Sequence, residues 1–427
     1  MLLSIKVELI PNNKQITAFK KASGVARHAY NWANAIFKDT LHLRSTDKAL
    51  KLPSSIDLHK RLVAEVKTIN PWYYQTNKNV PQQAIKDLRT AWDRFFKKLA
   101  QQPRFKKKGK LDSFYLESGS KAKPMIKSDG KRIKLPSIGW VRLTEELPVR
   151  ATHNCVISRT ADKWFIAIKY EVEKPIVEAD RPSIGVDVGI KELAVCSNGK
   201  VFKNPKAYRR MSKRLKRLQR RLSKKKLGSN NRKKAVSRLA KLHARIANIR
   251  KDAIHKLTTY LAKNHSIIKI EDLSIKAFLK NHKLAGAIAD CGMHEFKRQL
   301  EYKTEKFSSK LILVERMFPS SQICSNCGNH RHKMPLCERV FICPECGHKE
   351  DRDLNASKNI ERWFEGIYIP IRMANATLSL SDQTVSSTGI ACGVDKPFNR
   401  QIEATLKQEV NTKTNYVQLC LDLGSFG

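Results

Sequence analysis

Acidic residues are scarce in this 427-residue chain, and long apolar runs are absent from it. Lys and Arg together number 83 against 39 Asp and Glu, so the formal net charge is +44 at pH 7. Self-repulsion of this size destabilises a compact fold unless a polyanion neutralises it, which predicts a phosphate-rich partner. No stretch approaches the roughly 18 consecutive apolar residues of a membrane span, so nucleic acid is favoured over a membrane surface.

Several functional groupings are also missing. The 12 histidines are scattered through basic segments, and no Ser-His-Asp or Cys-His grouping indicates nucleophilic catalysis. The N-terminal segment MLLSIKVELIPNNKQ alternates without a long apolar run, which predicts a strand and not a signal peptide. Among ten cysteines, two CxxC pairs stand apart from scattered thiols. This spacing predicts metal binding in a reducing, cytoplasmic compartment and not a disulfide framework.

The apolar patterns divide the chain into β, α and β segments. The opening strand ends at Pro11, and helical spacing from Gln15 to about residue 100 predicts a helical block. From Pro103, the runs RIKLPSIGWVRL, NCVISRT and KWFIAIKYEVE predict a small β-domain, a barrel completed by the opening strand. One apolar stripe in the helical block is predicted to pack in a core and not to stack on bases. That stripe consists of Ala84, Leu88, Trp92, Phe95 and Leu99.

Residues 201–250 carry 20 Lys and Arg and no Asp or Glu. Two apolar stripes, separated at residues 228–231, predict a helical hairpin in this segment. Since a solvated helix face normally mixes charges, two adjacent faces of one sign predict a phosphate-binding surface. The positions assigned to that surface are Arg210, Arg214, Arg217 and Arg221. The stripes consist of Leu215, Leu218, Leu222, Val236, Leu239, Leu242, Ile246 and Ile249.

Two acidic residues follow strand patterns. In SIGVDVGIKELAV, alternation places Asp187 between Gly185 and Gly189 on one face, where the missing side chains would let a phosphate backbone approach. An Asp that serves only a turn is an equal alternative. In HSIIKIEDL, Glu271 ends a strand that is apolar on both faces, as in an α/β sheet whose carboxyl edge binds ligands. The neighbouring Asp272 is predicted to cap the following helix.

A third acidic position opens the helix predicted in KEDRDLNASKNIERWF. Asp351 and Asp353 lie two residues apart and cannot share a helix face, so one is predicted to be a ligand and the other a cap. Three carboxylates on separate elements suit phosphodiester hydrolysis, because two divalent cations roughly 3.5–4 Å apart can activate water and stabilise the leaving oxygen. Oxygen ligands favour magnesium or manganese.

Between the second and third acids, CSNCGNHRHKMPLCERVFICPECG contains two CxxC pairs separated by 15 residues. This spacing matches the four-thiolate zinc template, and the glycine after each pair suits a tight turn around sulfur. A closed four-cysteine site has no open position, so the zinc is predicted to be structural. The predicted ligands are Cys324, Cys327, Cys343 and Cys346, and Cys337 is predicted to be a bystander.

These blocks and their order resemble the TnpB proteins of insertion sequences, relatives of type V CRISPR effectors. Matching blocks extend over about residues 1–365 and include KVELIPNNKQ, PRFKKK, GVDVGIKELAV, IIKIEDL, FPSSQICSNCG, FICPECG and DRDLNASKNI. The resemblance implies an α/β fold in which an RNase H-like (RuvC) nuclease carries a zinc-binding insertion, plus an N-terminal wedge-like β-barrel with an inserted helical recognition domain. The implied limits are 1–12 and 103–180 for the barrel, 13–102 for the recognition domain, 181–318 and 350–369 for the nuclease, 319–349 for the insertion, and 370–427 for a disordered tail.

The resemblance also implies RNA-guided cleavage of double-stranded DNA with Mg²⁺ or Mn²⁺. The guide RNA would come from the transposon end, and the protein would read a short target-adjacent motif. By position, the catalytic and magnesium-binding roles fall to Asp187, Glu271 and Asp353, which selects Asp353 over Asp351. Lys78 and Gln82 fall where the family reads the adjacent motif.

Two other functions fit part of this pattern. An RNA-guided DNA-binding protein that does not cleave would keep the acids as structural residues. A transposase proper would join DNA ends with the same chemistry, but its last acid usually follows the second more closely than the roughly 80 residues seen here.

Overall fold

The computed structural model describes residues 2–119, 123–150, 154–173, 175, 180–316, 318–332, 334–335, 337–364 and 367–368. These residues form two compact units, Leu2–Val172 and the described residues from Glu173 onward. The tail predicted to be disordered, 370–427, lies outside the described residues. No described helix combines the length and apolar character needed to cross a membrane.

The first unit is built on a seven-stranded antiparallel sheet with the order β2-β6-β7-β1-β5-β4-β3. Its strands are β1 (Leu2–Ile10), β2 (Ser113–Glu117), β3 (Lys127–Asp129), β4 (Arg132–Leu135), β5 (Gly139–Leu143), β6 (Asn154–Thr160) and β7 (Lys163–Glu171). The opening strand β1 pairs with both β7 and β5, as predicted. Ser118, just beyond β2, bonds the backbone N–H of Met125 and Ile126 just before β3. These bonds bring ends of the two edge strands together, as a barrel would require.

Helices inserted after β1 pack on this sheet in one apolar core. They are α1 (Asn13–Thr46), α2 (Ser55–Arg61), a π-helical segment at Leu62–Val66, a 3₁₀ helix at Pro71–Gln75 and α3 (Asn79–Phe96). Trp92 of the predicted stripe is fully buried, stacks on Phe37 with ring centroids 4.7 Å apart, and donates to Asn34 Oδ1 at 3.0 Å. The core role predicted for the stripe is therefore confirmed for Trp92, whereas Leu99 lies beyond the end of α3.

The second unit contains a five-stranded sheet with the order β10-β9-β8-β11-β12. Its strands are β8 (Ile184–Asp187), β9 (Glu192–Cys196), β10 (Val201–Lys203), β11 (Ile267–Glu271) and β12 (Lys310–Val314). Strands β8, β11 and β12 run parallel, and β9 and β10 continue the sheet antiparallel. The carboxyl ends of β8 and β11 therefore meet at one edge of the sheet.

Helices and short hairpins complete this unit. The helices are α4 (Ala207–Ser223), α5 (Asn230–Asn264), α6 (Ile275–Leu279), α7 (His282–Cys291), α8 (Met293–Lys306) and α9 (Arg352–Arg362). The short strands are β13 (Val340–Ile342), β14 (Lys349–Asp351), β15 (Trp363–Phe364) and β16 (Ile367–Tyr368). They pair as β13 with β14 and β15 with β16, both antiparallel.

The helical hairpin predicted in the basic segment is formed by α4 and α5, which break between residues 223 and 230. Leu215, Leu242 and Ile246 are buried between the two helices. The prediction was wrong for Val236, which is 48% exposed. That residue lies in the early turns of α5, where the face toward α4 is incompletely covered.

The C-terminal end of α7 fixes the start of this hairpin. The buried Asp290 carboxyl accepts from the backbone N–H groups of Tyr208 and Arg209 at 3.0 and 3.3 Å, and so caps α4. Arg250 of α5 donates to the carbonyl of Ala289 at 2.6 Å. The thiol of the next residue, Cys291, lies 3.2 Å from the carbonyl of Ala287 and 3.6 Å from the carbonyl of Gly189, in the loop that follows β8.

Candidate nuclease site

Asp187 ends β8 at the carboxyl edge of the five-stranded sheet. The two apolar residues before it, Ile184 and Val186, are fully buried and hold the strand in the core. Asp187 itself is half-buried and faces the side of the sheet on which α9 packs. A turn role alone does not account for this position, because strand pairing with Val195 of β9 extends through Asp187.

Gly185 is required by α9 and not by an approaching phosphate. A Cβ built on Gly185 would meet the backbone of Ser357 and Glu361, lying 2.9 Å from Glu361 Cα and closer still to Ser357 O and Glu361 N. The prediction that Gly185 leaves room for a phosphate was therefore wrong. The space belongs to the helix backbone, and the glycine lets α9 lie directly on β8.

Glu271 ends the neighbouring parallel strand β11. The register pairs Val186 with Ile270, so Asp187 and Glu271 each follow a paired residue on strands roughly 4.8 Å apart. Ser320 donates through its hydroxyl to Glu271 Oε1 at 2.5 Å. Burial raises the pKa of Glu271, and the Ser320 hydrogen bond opposes that rise. The carboxylate is thus fixed in direction and partly withdrawn from water.

Asp272, predicted to cap the next helix, does not do so. Its carboxylate forms ion pairs with Lys297 at 3.0 Å and Arg316 at 2.9 Å. These partners hold the pKa of Asp272 below its usual value. The helix α6 begins after Ser274 without a side-chain cap. Local sequence suggested a cap, but the basic partners from distant segments decide the orientation of this side chain.

The two acids at the start of α9 have different roles. Asp351 is the N-cap, and its carboxylate accepts from the backbone N–H groups of Asp353 and Leu354 at 3.0 and 3.2 Å. The predicted cap is thereby confirmed as Asp351, and the ligand role of Asp353 stays a prediction. Asp353 lies in the first helical turn, and its carboxylate is 4.0 Å from Arg339 Nη1. This second carboxylate is free of the capping role.

Electrostatics links the three acids. Burial, followed by the negative charges of Glu271 and Asp353, raises the pKa of Asp187 to about 8, whereas the positive charge of Arg352 opposes the rise. The charges of Glu271 and Asp353 thus act at Asp187, which is the contact that the structure gives between the three acids. Mutual repulsion of this kind is relieved when cations bind between carboxylates. The donor set fits hard divalent cations, which prefer oxygen ligands.

Buried amides on α9 join this site to the cysteine segment. Asn355 donates to the carbonyl of Ile323 at 2.7 Å and accepts from the backbone N–H of Ser325 at 2.9 Å. Asn359 donates to the carbonyls of Ser320 and Ile323 at 2.7 and 2.6 Å. Both amides are fully buried. Neither amide was predicted from the sequence, where their only signal is a polar residue at i and i+4 on the inner face of a helix.

The opposite end of α9 is held by the strand that carries Glu271. Lys269 is buried, and its ammonium donates to the carbonyls of Glu361 and Trp363 at 2.6 and 2.7 Å. A cation at a helix C-terminus complements the carbonyl groups that lack intrahelical partners. The position of Asp353 therefore depends on three sets of contacts that α9 makes: its backbone against Gly185, its buried amides against the cysteine segment, and its C-terminal carbonyls against Lys269.

The four predicted metal-binding cysteines come together. All their sulfur atoms lie within 4.8 Å of one another, with Cys324 and Cys346 Sγ 3.7 Å apart and Cys327 and Cys343 Sγ 3.5 Å apart. Tetrahedral coordination with metal–sulfur bonds of roughly 2.3 Å requires sulfurs about 3.8 Å apart. The cluster can therefore hold a metal ion without rearrangement. Cys337 is exposed and does not belong to this group.

Each CxxC pair forms the same tight turn. The amides of Gly328 and Gly347 donate to the carbonyls of Cys324 and Cys343 at 2.9 and 3.1 Å. Both glycines have positive φ, 82° and 65°, as the predicted knuckle requires. The backbone thus turns its sulfur atoms inward from two equivalent hairpin ends.

The predicted nucleic-acid contacts lie on exposed surfaces of both units. Lys78 is exposed just before α3, and Gln82 is half-buried in the first turn of that helix. Arg210, Arg214, Arg217 and Arg221 are all exposed on α4. A surface groove on α4 is lined only by basic side chains, namely Lys213, Arg214, Arg217, Arg220, Arg221 and Lys224. This arrangement has the one-signed charge expected of a phosphate-binding face.

Three family models match separate parts of the chain. They are described as "Probable transposase" over residues 167–282, "Cas12f1-like, TNB domain" over 294–360 and "Helix-turn-helix domain" over 1–43. The last description differs in topology from the observed segment, which consists of the strand β1 followed by the single long helix α1.

Curated relatives match most of the chain. "Putative RNA-guided DNA endonuclease" of Streptomyces pristinaespiralis is 35% identical over 84% of this chain and 88% of its own length. "Putative RNA-guided DNA endonuclease InsQ" of Escherichia coli K12 is 32% identical over 84% of this chain and 91% of its own length. Among solved structures, Cas12f1 in complex with single-guide RNA and target DNA matches with a TM-score of 0.52 and 13% identity over 82% of each chain, which shows similarity of fold. With relatives of this identity and coverage, the chain belongs to the TnpB family.

Proposed function

We propose that this chain is a transposon-encoded, RNA-guided DNA endonuclease. The observation that carries the proposal is the placement of Asp187 and Glu271 at adjacent carboxyl ends of parallel strands, with Asp353 in the first turn of the helix packed on the same sheet. Burial, and then the charges of Glu271 and Asp353, raise the pKa of Asp187. Endonuclease names of relatives that match most of this chain support the same activity.

We further propose that the second unit is an RNase H-like nuclease of the RuvC type. Support comes from the strand order β10-β9-β8-β11-β12, in which β9 runs antiparallel to both of its neighbours, β8 and β10. In such a sheet the acids lie where ligands bind α/β folds, at the carboxyl ends of parallel strands. The cysteine hairpins between Glu271 and Asp353 would form its zinc-binding insertion.

Asp187, Glu271 and Asp353 would hold two Mg²⁺ or Mn²⁺ ions. Such ions supply an activated water and neutralise the charge of the leaving oxygen during phosphodiester hydrolysis. The protein's part is to fix the carboxylates: Ser320 orients Glu271, and Asp351 satisfies the helix start and thereby leaves Asp353 available. Cys324, Cys327, Cys343 and Cys346 would hold a structural Zn²⁺, since four thiolates close a tetrahedral site.

Specificity would come from base pairing by a guide RNA, with the protein gripping phosphates. The basic faces of α4 and α5 and the barrel suit this role. We retain the division into a wedge-like barrel (1–12 and 103–180), a recognition domain (13–102), a nuclease (181–318 and 350–369) and an insertion (319–349). Lys78 and Gln82 would read a short motif beside the target.

The test compares two adjacent acids. Purified protein with the RNA encoded at its transposon end and Mg²⁺ is expected to cut a matching DNA duplex. Glu271→Gln keeps the shape of the side chain and is expected to slow cutting by about 10²-fold or more, with RNA binding unchanged. Asp272→Asn removes the neighbouring half-buried charge and is expected to cut as the wild type does, because partly exposed ion pairs contribute little.

Other outcomes would select other functions. Normal cutting by Glu271→Gln, or by Asp187→Ala, would refute the site. Target occupancy without strand breaks in Mg²⁺ or Mn²⁺ would identify a non-cleaving RNA-guided binder. Strand transfer without RNA would identify a transposase.

A further inference from the structure

A groove in the first unit lies apart from every residue given a role above. It runs between α1, the 3₁₀ helix at Pro71–Gln75 and Lys108, and its volume is about 700 Å³, within the range of small-molecule sites. The residues that matter most for its chemistry are Lys20, Lys21, Gly24, His28, Trp72 and Gln75. Among the described residues that line it, none is acidic.

One wall of the groove is an aromatic stack with an open face. Trp72 stacks on the buried Tyr73 with ring centroids 4.5 Å apart and planes 26° apart. His28 lies 5.2 Å from Trp72 and 5.7 Å from Tyr73, and its Nδ1 bonds the Tyr73 hydroxyl at 2.7 Å. One face of Trp72 is covered by Tyr73, and a ring on the opposite, second face would lie much farther from Tyr73 than from Trp72. Because the His28 ring is almost equally far from both rings, it lies beside the stacked pair and not on that second face. Trp72 is 37% exposed and lines the groove, so part of its ring surface is open to a ligand there.

The lysine side chains of the groove are not neutralised by carboxylates of the described residues. Lys21 Nζ donates to the neutral amide oxygen of Gln75 at 2.9 Å. Within the described part of the chain, no carboxylate forms an ion pair with Lys20, Lys21 or Lys108, whereas Arg27 is paired with Asp112 at 3.5 Å. Lysines held by neutral groups near an aromatic face create a positive potential that favours an anionic ligand.

Gly24 keeps the floor of the groove open. It lies in the middle of α1, where glycine weakens a helix, and it has no positive φ that would require glycine. A Cβ at this position would meet only Arg27 Nη2, at the ordinary contact distance of 3.9 Å. The missing side chain therefore serves no close packing within the protein, and a larger one would enter the groove.

We infer that this groove binds an unpaired nucleotide, whose base stacks on the second face of Trp72 and whose phosphate pairs with Lys20 and Lys21. Aromatic faces bind bases of any sequence, and basic side chains beside them follow the backbone of a single strand. A paired base is already covered on both faces by its neighbours and cannot reach Trp72 without leaving the stack. The inference rests on the proposed function, which supplies two sources of such a nucleotide, guide RNA and target DNA.

Photocrosslinking of the full chain tests this site. Single strands of about 20 nucleotides, DNA with 4-thiothymidine in one arm and RNA with 4-thiouridine in the other, are irradiated with the protein and the crosslinked peptides are mapped. The peptide containing Trp72 is expected to carry the crosslink in at least one arm, and that arm identifies the source. Trp140 is 44% exposed on β5 and provides a matched aromatic control.

Variants make the result specific to the groove. Gly24→Leu fills it and is expected to lower the Trp72 crosslink by at least about fivefold, the factor that corresponds to loss of one weak stacking contact. Gly24→Ala and Trp140→Ala are both expected to keep the crosslink. Trp72→Ala is expected to weaken binding of the single strand, whereas Trp72→Phe keeps an aromatic face and is expected to retain that binding.

The site would be refuted if neither arm crosslinked the Trp72 peptide, or if Gly24→Leu left the yield unchanged. The readout needs no cleavage, so it separates this inference from the nuclease proposal. A Glu271→Gln protein that fails to cut is expected to crosslink normally. Absence of cutting in the wild type with a Trp72 crosslink present would overturn the nuclease proposal alone.

Discussion

Adding one methyl group at Gly185 is expected to disable the nuclease site without altering any acid. The added Cβ would meet three backbone atoms of α9, and the farthest of them, Glu361 Cα, would be 2.9 Å away. The shortest ordinary contact is 3.4 Å. The helix α9 must therefore move away from β8 by at least 0.5 Å, the difference between these distances. Ser357 O lies closer to the added Cβ and requires a larger displacement. Backbone atoms cannot rotate away as a flexible side chain can, so the helix moves as a body.

This displacement is comparable with the tolerance of a catalytic site. Productive geometry is kept within about 0.5 Å, and a misplacement of about 1 Å can slow a reaction by roughly 10²-fold. Because α9 carries Asp353, Gly185→Ala is expected to slow RNA-guided cleavage by about 10–10²-fold. Overpacking is expected to lower the free energy of unfolding by about 1–3 kcal/mol.

The assay measures single-turnover cleavage, RNA affinity and thermal unfolding for Gly185→Ala beside Gly286→Ala. Gly286 lies in α7, where a Cβ meets nothing within 4 Å, so its variant tests the chemical change without the steric one. RNA affinity is expected to stay unchanged in both variants. Cleavage by Gly185→Ala at the rate of the Gly286→Ala control would refute the argument that α9 positions the third acid.

Three further outcomes follow from other contacts. Asp351→Ala removes the cap of α9 and is expected to lower the free energy of unfolding by about 1 kcal/mol and to slow cleavage, measured by denaturant titration and by single-turnover assay; unchanged stability would contradict the capping role. Burial lowers the pKa of Lys303 to about 8 from 10.5, so the unfolded chain binds more protons between these values. The free energy of unfolding of wild type relative to Lys303→Met is therefore expected to rise by up to about 3 kcal/mol from pH 8 to 10.5, and a flat difference would refute it. Cys343→Ser is expected to lower the bound-metal content and the melting temperature together, whereas Cys337→Ser leaves both unchanged in metal analysis and calorimetry.

Features that depend on neighbouring residues were predictable from the sequence. Pro11 follows the end of β1, the predicted break near residue 228 separates α4 from α5, and the CxxC spacing brings four sulfurs together. Asp351 as a cap also belongs to this group, because an N-cap needs only the first turn that follows it. In each case the deciding interaction lies within a few residues or follows a fixed ligand spacing.

Features that depend on distant segments of the chain were not predictable from the sequence. The ion-pair partners of Asp272 lie 25 and 44 residues farther along the chain, and local sequence pointed to a cap instead. Gly185 looked like an opening for phosphate because nothing in its own strand indicates that the backbone of α9 fills the space. Asn355 and Asn359 break an apolar stripe, and their partners on the cysteine segment appear only in the folded chain.

The last residues of α7 contact both the basic hairpin and the sheet edge that carries Asp187. Asp290 accepts hydrogen bonds from the first turn of α4, and the thiol of the next residue, Cys291, lies 3.6 Å from the carbonyl of Gly189 in the loop after Asp187. Helix α7 also follows Glu271 along the chain, after α6, so it lies between the end of β11 and the basic hairpin in sequence. A polyanion bound to the basic hairpin therefore contacts a helix whose first turn is held by the residue next to the one that touches the loop after Asp187.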